Sequence, residues 1–263
     1  MLVLTLTYLR WARDIEPGFV HELSRRRVDD YEVHVVAPHF SGAALEEGMD
    51  GVKVHRFRYF YPGKKALVYE GGMLMNIKHH PLLLLSVPFF MFSQWWTALR
   101  LARRHRVVLV HAHWVIPQGV VAWWLRLFYR RAPLVITSHG GDVYGLNGWL
   151  TGLLKRGIYR ACSTVTVVSR AMAELLREQV PDVDVRVASM GVDLENLFVP
   201  QAPLEGRTDL VFIGRMVEKK GVDVLLRAFA LLLERYPDLR LRIVGHGPYR
   251  PALEQLAGEL KLG

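Results

Sequence analysis

The stretch Val107-Val108-Leu109-Val110-His111-Ala112-His113-Trp114, with Ile116-Pro117-Gln118-Gly119 just beyond it, decides the fold. Residues 107–112 are nearly all apolar, as a strand buried on both faces of a parallel sheet should be. The run ends in two histidines one residue apart, and period-two geometry puts His111 and His113 on one face. Pro117 is preset for the first turn of a helix, and Gly119 would let a ligand approach. A buried strand that passes through polar residues into a helix is the unit of an open α/β sheet. Ligands of such sheets sit at the carboxyl ends of the strands.

Working outward, residues 2–6, 32–37, 52–57, 134–138, 164–168 and 183–188 read as further strands. Helical stretches at 19–27, 120–131, 149–161 and 170–178 lie between several of them. Alternation of this kind predicts a parallel sheet covered on both faces. Residues 82–99 carry no charge over 18 positions, and Arg100, Arg103, Arg104 and Arg106 follow. That length reaches the lower edge of a membrane span. Pro88, the polar Ser86, Ser93, Gln94 and Thr97, and a place between two strands of one sheet predict a buried or peripheral helix instead.

A polar segment with two prolines and a glycine, residues 200–208, reads as a linker. The pattern then restarts with a strand at 209–213, a helix at 221–236, a strand at 239–244 and a helix at 250–262. The predicted domains are 1–203 and 204–263. Two βα units bury little surface for their length, so the second domain is expected to be incomplete and loosely folded beyond Pro200. Its helices are expected to expose Val224, Leu225, Phe229 and Leu232 on one, and Leu253, Leu256 and Leu260 on the other.

Of 263 residues, 51% are hydrophobic and 22% charged, a globular balance. The single cysteine, Cys162, excludes a disulfide scaffold and any Cys-rich zinc or iron–sulfur site, and it fits a reducing, cytoplasmic setting. No secretory signal is read at the start, because Arg10, Arg13 and Asp14 follow residues 1–7 at once. The net charge of +9 is uneven: residues 1–131 hold 18 lysines and arginines against 10 acids, residues 132–263 hold 16 against 15. Beyond a solvated basic surface, this suits an anionic membrane or an acidic ligand. Nucleic acid is disfavoured, since no helix-turn-helix, finger or stacking motif accompanies the charge.

Chemistry concentrates at strand ends. Gly214-Arg215 closes one strand and Lys220-Gly221 opens the next helix, so two cations and free helix N–H groups share one mouth suited to a diphosphate. Gly245-His246-Gly247-Pro248 adds a second tight turn at the same edge. A Walker loop is absent, which argues against ATP hydrolysis. In the first domain, His139-Gly140-Gly141-Asp142 closes its strand as His111-Ala112-His113-Trp114 closes another. Two chemistries compete there. His111, His113, His139 and Asp142 could ligate zinc as in a metallohydrolase; or they could bind a sugar and its phosphate without metal, the histidines serving as hydrogen-bond partners. The second nucleotide-type domain favours the metal-free reading.

The motifs, taken in order, resemble a family 4 glycosyltransferase of GT-B fold. They are Arg10-Trp11 with Asp14-Ile15-Glu16-Pro17-Gly18-Phe19-Val20, Val35-Val36-Ala37-Pro38-His39, Asp50-Gly51-Val52 and His55-Arg56-Phe57-Arg58-Tyr59. The two histidine motifs follow, Ile116–Gly119 and Thr137–Ser138 included, then Gly191-Val192-Asp193 with Phe198, and Gly214-Arg215 with Glu218-Lys219-Lys220-Gly221. The resemblance implies two Rossmann-like domains facing a cleft, the first for acceptor and the second for a nucleotide-sugar donor. It implies transfer to a glycan or lipid-linked acceptor with retention at the anomeric carbon, and no metal or other cofactor. The basic charge of residues 1–131 and the apolar stretch 82–99 beside Arg100–Arg106 predict a cytoplasmic protein peripheral to the inner face of the cell membrane. Arg215, Lys220, Gly214 and Gly18 would hold the donor diphosphate. His139 and Asp142 would be catalytic, with His139 near the transferred sugar. His111, His113, Trp114, Gln118 and Gly119 would lie on the acceptor side. The first loop departs from the family, with one glycine, Gly18, beside Pro17 where paired glycines are usual. The family's later Glu-rich motif and its returning C-terminal helix do not lie within residues 1–263, so this stretch alone is expected to be inactive. On the same scaffold, a sugar-nucleotide epimerase or phosphorylase and a non-catalytic nucleotide-sugar-binding module are the alternatives.

Overall fold

The computed structural model describes residues 1–12, 14, 16, 18–60, 67–69, 72–145, 148–200 and 209–262. The chain divides into two units, Met1–Val192 and Asp193–Gly263. The division falls ahead of the 203/204 boundary expected from composition. Most of the linker segment, 201–208, lies outside the described residues, as does Pro17.

The first unit runs β1 (Leu2–Leu4), α1 (Phe19–Arg25), β2 (His34–Pro38), β3 (Glu46–Met49), β4 (Val52–Phe57), α2 (Met73–His79) and α3 (Val87–Arg104). It continues with β5 (Val110–His113), α4 (Val120–Phe128), β6 (Leu134–Ser138), α5 (Gly141–Tyr144), α6 (Trp149–Arg160), β7 (Thr164–Val167), α7 (Arg170–Gln179) and β8 (Val185–Val187). One sheet collects the strands in the order β3-β4-β2-β1-β5-β6-β7-β8. Every pairing is parallel except β3 with β4. The order reverses between β1 and β5, the switch point beside which ligands of open α/β sheets sit.

The core sits on both faces of this sheet, as the near-continuous apolar strands require. Period two divides β1 cleanly: Leu2 and Leu4 join the cluster around Val36, Phe90 and Leu99, while Val3 joins Val20, Val35 and Val54 on the other face. The uncharged run is not one helix. Pro81–Ser86 forms a tighter turn, and Pro88 stands in the first turn of α3, where its missing N–H costs nothing. Residues Phe90, Gln94, Ala98 and Ala102 repeat every four positions and are buried against β1, β2 and β4. Gln94 donates to the carbonyls of Thr5 and Val36, at 3.0 and 3.3 Å. The stretch Pro81–Arg104, long and apolar enough to cross a membrane by length and composition, thus covers the sheet through the buried face of α3.

Two strands in particular differ from the sequence reading. Strand β5 starts at Val110 rather than 107 and extends through His113, which pairs with Thr137. The Val107 carbonyl instead takes the Tyr129 hydroxyl, at 3.1 Å. Strand β3, acidic and with only Met49 buried, was not anticipated. It turns back onto β4 through Asp50 and Gly51, at φ 48° and 81°, the hairpin geometry that an Asp-Gly pair favours.

The second unit pairs β9 (Leu210–Ile213) with β10 (Leu241–Val244) in parallel, and α8 (Val222–Leu233) packs on α9 (Arg250–Glu259). The expected exposure is corrected in part. Phe229, Leu253 and Leu256 are buried, the two leucines in a small core with Met216, Val222 and Leu226. Helical period turns those positions inward, and Val224 and Leu232 outward. Much of the exposed apolar surface is on the strands instead, at Val211, Ile213 and Val244.

Candidate functional site

Histidines His111 and His113 leave the same face of β5, their ring centroids 4.3 Å apart. Strand β6 lies alongside, and His139 follows its last residue. His113 Nδ1 and His139 Nε2 are 3.0 Å apart and hydrogen-bonded, the rings stacked at 5.2 Å. His111 Nε2 meets Thr137 Oγ1 at 2.7 Å, and Thr137 Oγ1 meets Thr166 Oγ1 at 2.6 Å. A polar ladder therefore crosses β5, β6 and β7 near their carboxyl ends.

All three rings are held neutral. Burial lowers His111 to about 4, helped by nearby His139. Burial also lowers His139 to about 4, against the opposing pull of Asp142. His113 falls well below the ordinary range through burial and its two histidine neighbours. A neutral imidazole can donate through one nitrogen and accept through the other. Among the described residues, His139 Nδ1 has no hydrogen-bond partner, so it can serve a ligand.

Asp142 is 4% exposed. One carboxylate oxygen accepts the Val115 N–H at 2.8 Å and the other the His139 N–H at 3.0 Å. It ties the loop after β5 to the loop after β6, with both oxygens engaged. This arrangement does not assemble the zinc set. His111 is bonded to Thr137, His113 and His139 to each other, and Asp142 to backbone; among the described residues the four do not form a ligand group.

Trp114 sits at φ 72°, a positive value seldom adopted outside glycine. Its N–H donates to the Thr137 carbonyl at 2.8 Å, and its ring lies 4.7 Å from His139. Phe19, at the start of α1, lies 5.0 Å from the same imidazole. Backbone strain of this kind costs about 1–3 kcal/mol and gathers at ligand sites; here it places an aromatic wall beside His139.

Gln118 and Gly119 do not reach the surface. Gln118 is fully buried and its amide donates to Gln94 Oε1 at 3.4 Å. A Cβ on Gly119 would come within 3.0 Å of both Ile136 Cδ1 and Ile158 Cγ2. The space beside Gly119 is filled by packing, so the ligand-approach role expected for it is corrected to close contact between α4, β6 and α6. Gly18 caps α1 beneath the Leu9 side chain. The loop before it is closed by Arg10, which binds Asp14 through side chain and backbone. Burial pushes the Asp14 carboxyl up, but these bonds prevail and hold it at about 2.

In the second unit, Gly214-Arg215-Met216 and Gly245-His246-Gly247 close β9 and β10 side by side. Met216 N–H donates to the His246 carbonyl at 2.9 Å. A Cβ on Gly245 would stand 1.9 Å from the Gly214 oxygen, and one on Gly247 2.2 Å from the Met216 oxygen. Only glycines allow loops this close. Arg215 and Lys220 are exposed, and among the described residues neither side chain has a partner. Gly221, at φ 65°, then opens α8.

Sequence reasoning missed Thr137 and Thr166 as ladder members and Phe19 as part of the aromatic wall. It also missed Lys155, a buried lysine whose ammonium donates to the Gly145 carbonyl at 2.7 Å. Nothing in the helical pattern of α6 marks that lysine, because its partners are carbonyls ten and more residues away.

Residues 19–196 match the family described as Glycosyltransferase Family 4, and residues 193–263 match Glycosyl transferases group 1. A glycogen synthase of Mycobacterium tuberculosis is 28% identical over 156 residues, covering 55% of this chain and 37% of the relative. A phosphatidyl-myo-inositol mannosyltransferase of the same species is 32% identical over 144 residues, covering 51% and 35%. The chain thus spans about a third of the length of either relative. Among solved structures, Anabaena Alr3699/HepE in complex with UDP superimposes with a TM-score of 0.63 at 17% identity, covering 100% of this chain and 67% of that one.

Proposed function

The chain belongs to glycosyltransferase family 4, and on that premise we propose that it serves transfer of a sugar from a nucleotide-sugar donor to a glycan or lipid-linked acceptor, with retention at the anomeric carbon. The α/β fold is Rossmann-like, of the GT-B type. The observation that carries the reading is a pair of exposed cations, Arg215 and Lys220, without a partner among the described residues, beside the two glycine-built loops that end β9 and β10. Cations left unpaired at a strand end are free for an anion, and the start of α8 adds N–H groups.

The bond that breaks joins the anomeric carbon to a diphosphate oxygen. As it lengthens, charge accumulates on the diphosphate, and Arg215 and Lys220 stabilise it; Gly214 allows backbone N–H groups to approach. The acceptor hydroxyl enters on the same face and passes its proton to the departing phosphate oxygen, which gives retention without a dedicated base. His139, neutral and with Nδ1 available, hydrogen-bonds a hydroxyl of the transferred sugar, while His113 fixes its ring. Asp142 is a positioning residue. Acceptor is held by the first unit along His111, His113 and Trp114. The scheme needs no metal, because cations and N–H dipoles supply the stabilisation.

A lipid-linked acceptor is supported by the surface of the first unit. Leu82, Leu84, Leu85, Phe89, Phe92 and Trp96 are exposed on the turn Pro81–Ser86 and α3, and the helix ends in exposed Arg100, Arg103 and Arg104. Apolar insertion beside basic residues is the chemistry of interfacial binding to anionic lipid. These features support the reading of a protein peripheral to the cytoplasmic face of the membrane.

Titration calorimetry with a panel of uridine, guanosine and adenosine diphosphate sugars tests the donor site. One class should bind, and Arg215→Ala and Lys220→Ala should each weaken it at least ~10-fold without changing circular dichroism. Unchanged binding in both variants would sink the clamp. Anomeric configuration of the product, read by NMR against the donor, tests retention.

A further inference from the structure

At the opposite, amino-terminal end of the strands, a second histidine cluster has no part in this reaction. His34 opens β2, Glu32 precedes it by two residues, and His105 follows the end of α3. One nitrogen from each histidine and one Glu32 oxygen lie within 4.8 Å of one another. We propose that Glu32, His34 and His105 form a divalent-metal site of the zinc class, a structural staple between the start of β2 and the turn leading into β5.

The geometry singles out His34 Nε2. The residue is 3% exposed, and Nε2 is buried without a hydrogen-bond partner among the described residues. Its other nitrogen is engaged: Nδ1 lies 3.0 Å from His55 Nε2, and His55 Nδ1 lies 3.4 Å from Glu46 Oε1. The tautomers that satisfy this chain put a proton on each Nδ1, donated in turn to His55 and to the Glu46 carboxylate. His34 Nε2 is then left with a bare lone pair. That lone pair faces the Glu32 Oε1 atom at 3.4 Å. A cation standing between two electron-rich atoms at that separation would bind both. Bonds of about 2.1 Å at a tetrahedral angle put two ligand atoms roughly 3.4 Å apart. His105, its ring centroid 4.3 Å from that of His34, supplies the third ligand, and water would take a fourth position.

Two imidazoles and one carboxylate suit zinc, whereas calcium and magnesium favour oxygen donors. The His55–Glu46 chain behind His34 is the outer-shell support that orients ligating histidines. Lys53 also pairs with Glu32. It is about half exposed, so its ammonium can withdraw into water when a dication takes the carboxylate.

The test uses the whole chain, free of any histidine tag and stripped with chelator, titrated with zinc chloride by calorimetry. One equivalent should bind and raise the melting temperature. Cobalt(II) should give the intense visible absorption of a tetrahedral site with nitrogen ligands. Glu32→Gln and His105→Ala change partly exposed side chains and should keep the fold, yet each should weaken zinc binding at least ~10-fold. Failure of the first equivalent to bind overturns the proposal. So does binding that both variants leave unchanged, which would assign the zinc to surface histidines such as His79 and His80. Because the readouts are binding, melting and absorption, they stand apart from any loss of sugar transfer.

Discussion

His113 Nδ1 and His139 Nε2 are joined across β5 and β6 at 3.0 Å, between a ring that is almost wholly buried and one that reaches the strand-end surface. The bond consumes the inner nitrogen of His139 and aims the outer one away from the core. A buried residue thereby orients a ligand-facing one, and neither ring can hold a proton charge without losing that arrangement.

Replacing His139 should therefore damage transfer more than folding. His139→Ala is expected to lower kcat by about 100-fold or more, as loss of a preplaced hydrogen-bond donor does. The melting temperature should change little. Steady-state rates with donor and acceptor varied separately check the assignment; an effect confined to acceptor KM would move His139 to the acceptor side.

Acid should weaken the first unit. His111 and His139 sit at about 4 in the folded chain against an ordinary 6.5, and His113 also lies well below it. Between those limits the unfolded chain binds protons that the folded chain refuses, so stability is intact above pH 6.5 and lost as pH falls toward 4. Each histidine contributes up to about 1.4 kcal/mol per pH unit. Urea midpoints at pH 7.5, 6.5, 5.5 and 4.5 should fall, and His111→Asn should flatten the slope.

Asp142→Ala should cost about 2–4 kcal/mol, because it strands the N–H groups of Val115 and His139 that the carboxylate now satisfies. Chemical denaturation measures the loss. A variant as stable as the parent would show that the two loops hold together without it.

Gly119→Ala should destabilise by about 1–3 kcal/mol through overpacking against Ile136 and Ile158, with acceptor affinity unchanged. Calorimetry and melting together separate this from a role in ligand approach. Lowered affinity in a fully stable variant would restore the ligand role.

Membrane attachment should depend on both the apolar and the basic surface. Vesicles containing anionic lipid should float the protein at low salt and progressively less as salt rises. Combined Leu85→Ser, Phe89→Ser and Phe92→Ser substitutions should reduce flotation at least ~10-fold, since each buried apolar side chain is worth about 1.5–3 kcal/mol. Equal flotation on neutral vesicles, or none on either, would discard the electrostatic part.

The amino-acid pattern by itself determined the alternation of strands and helices, the parallel sheet and the strand ends where chemistry gathers. Those features are local: an apolar run such as 134–138 must be buried on two faces, and glycine, proline and histidine just after it mark where the strand stops. It also brought His111 and His113 to one face, because period two needs no tertiary information. Strand β3 escaped it, since an acidic edge strand has one partner and little burial to impose a pattern. Only the tertiary structure decided what each strand-end residue touches. Gln118 and Gly119 follow His113 and Trp114 within six residues, yet the turn into α4 carries them into the core. Asp142 looks like a reagent in the motif, but its oxygens face two backbone N–H groups from different loops. Glu32, His34 and His105 are scattered over more than seventy residues, and they meet because β2 and β5 flank the same strand, β1. Contacts of that kind depend on strand order and register, which no single segment encodes.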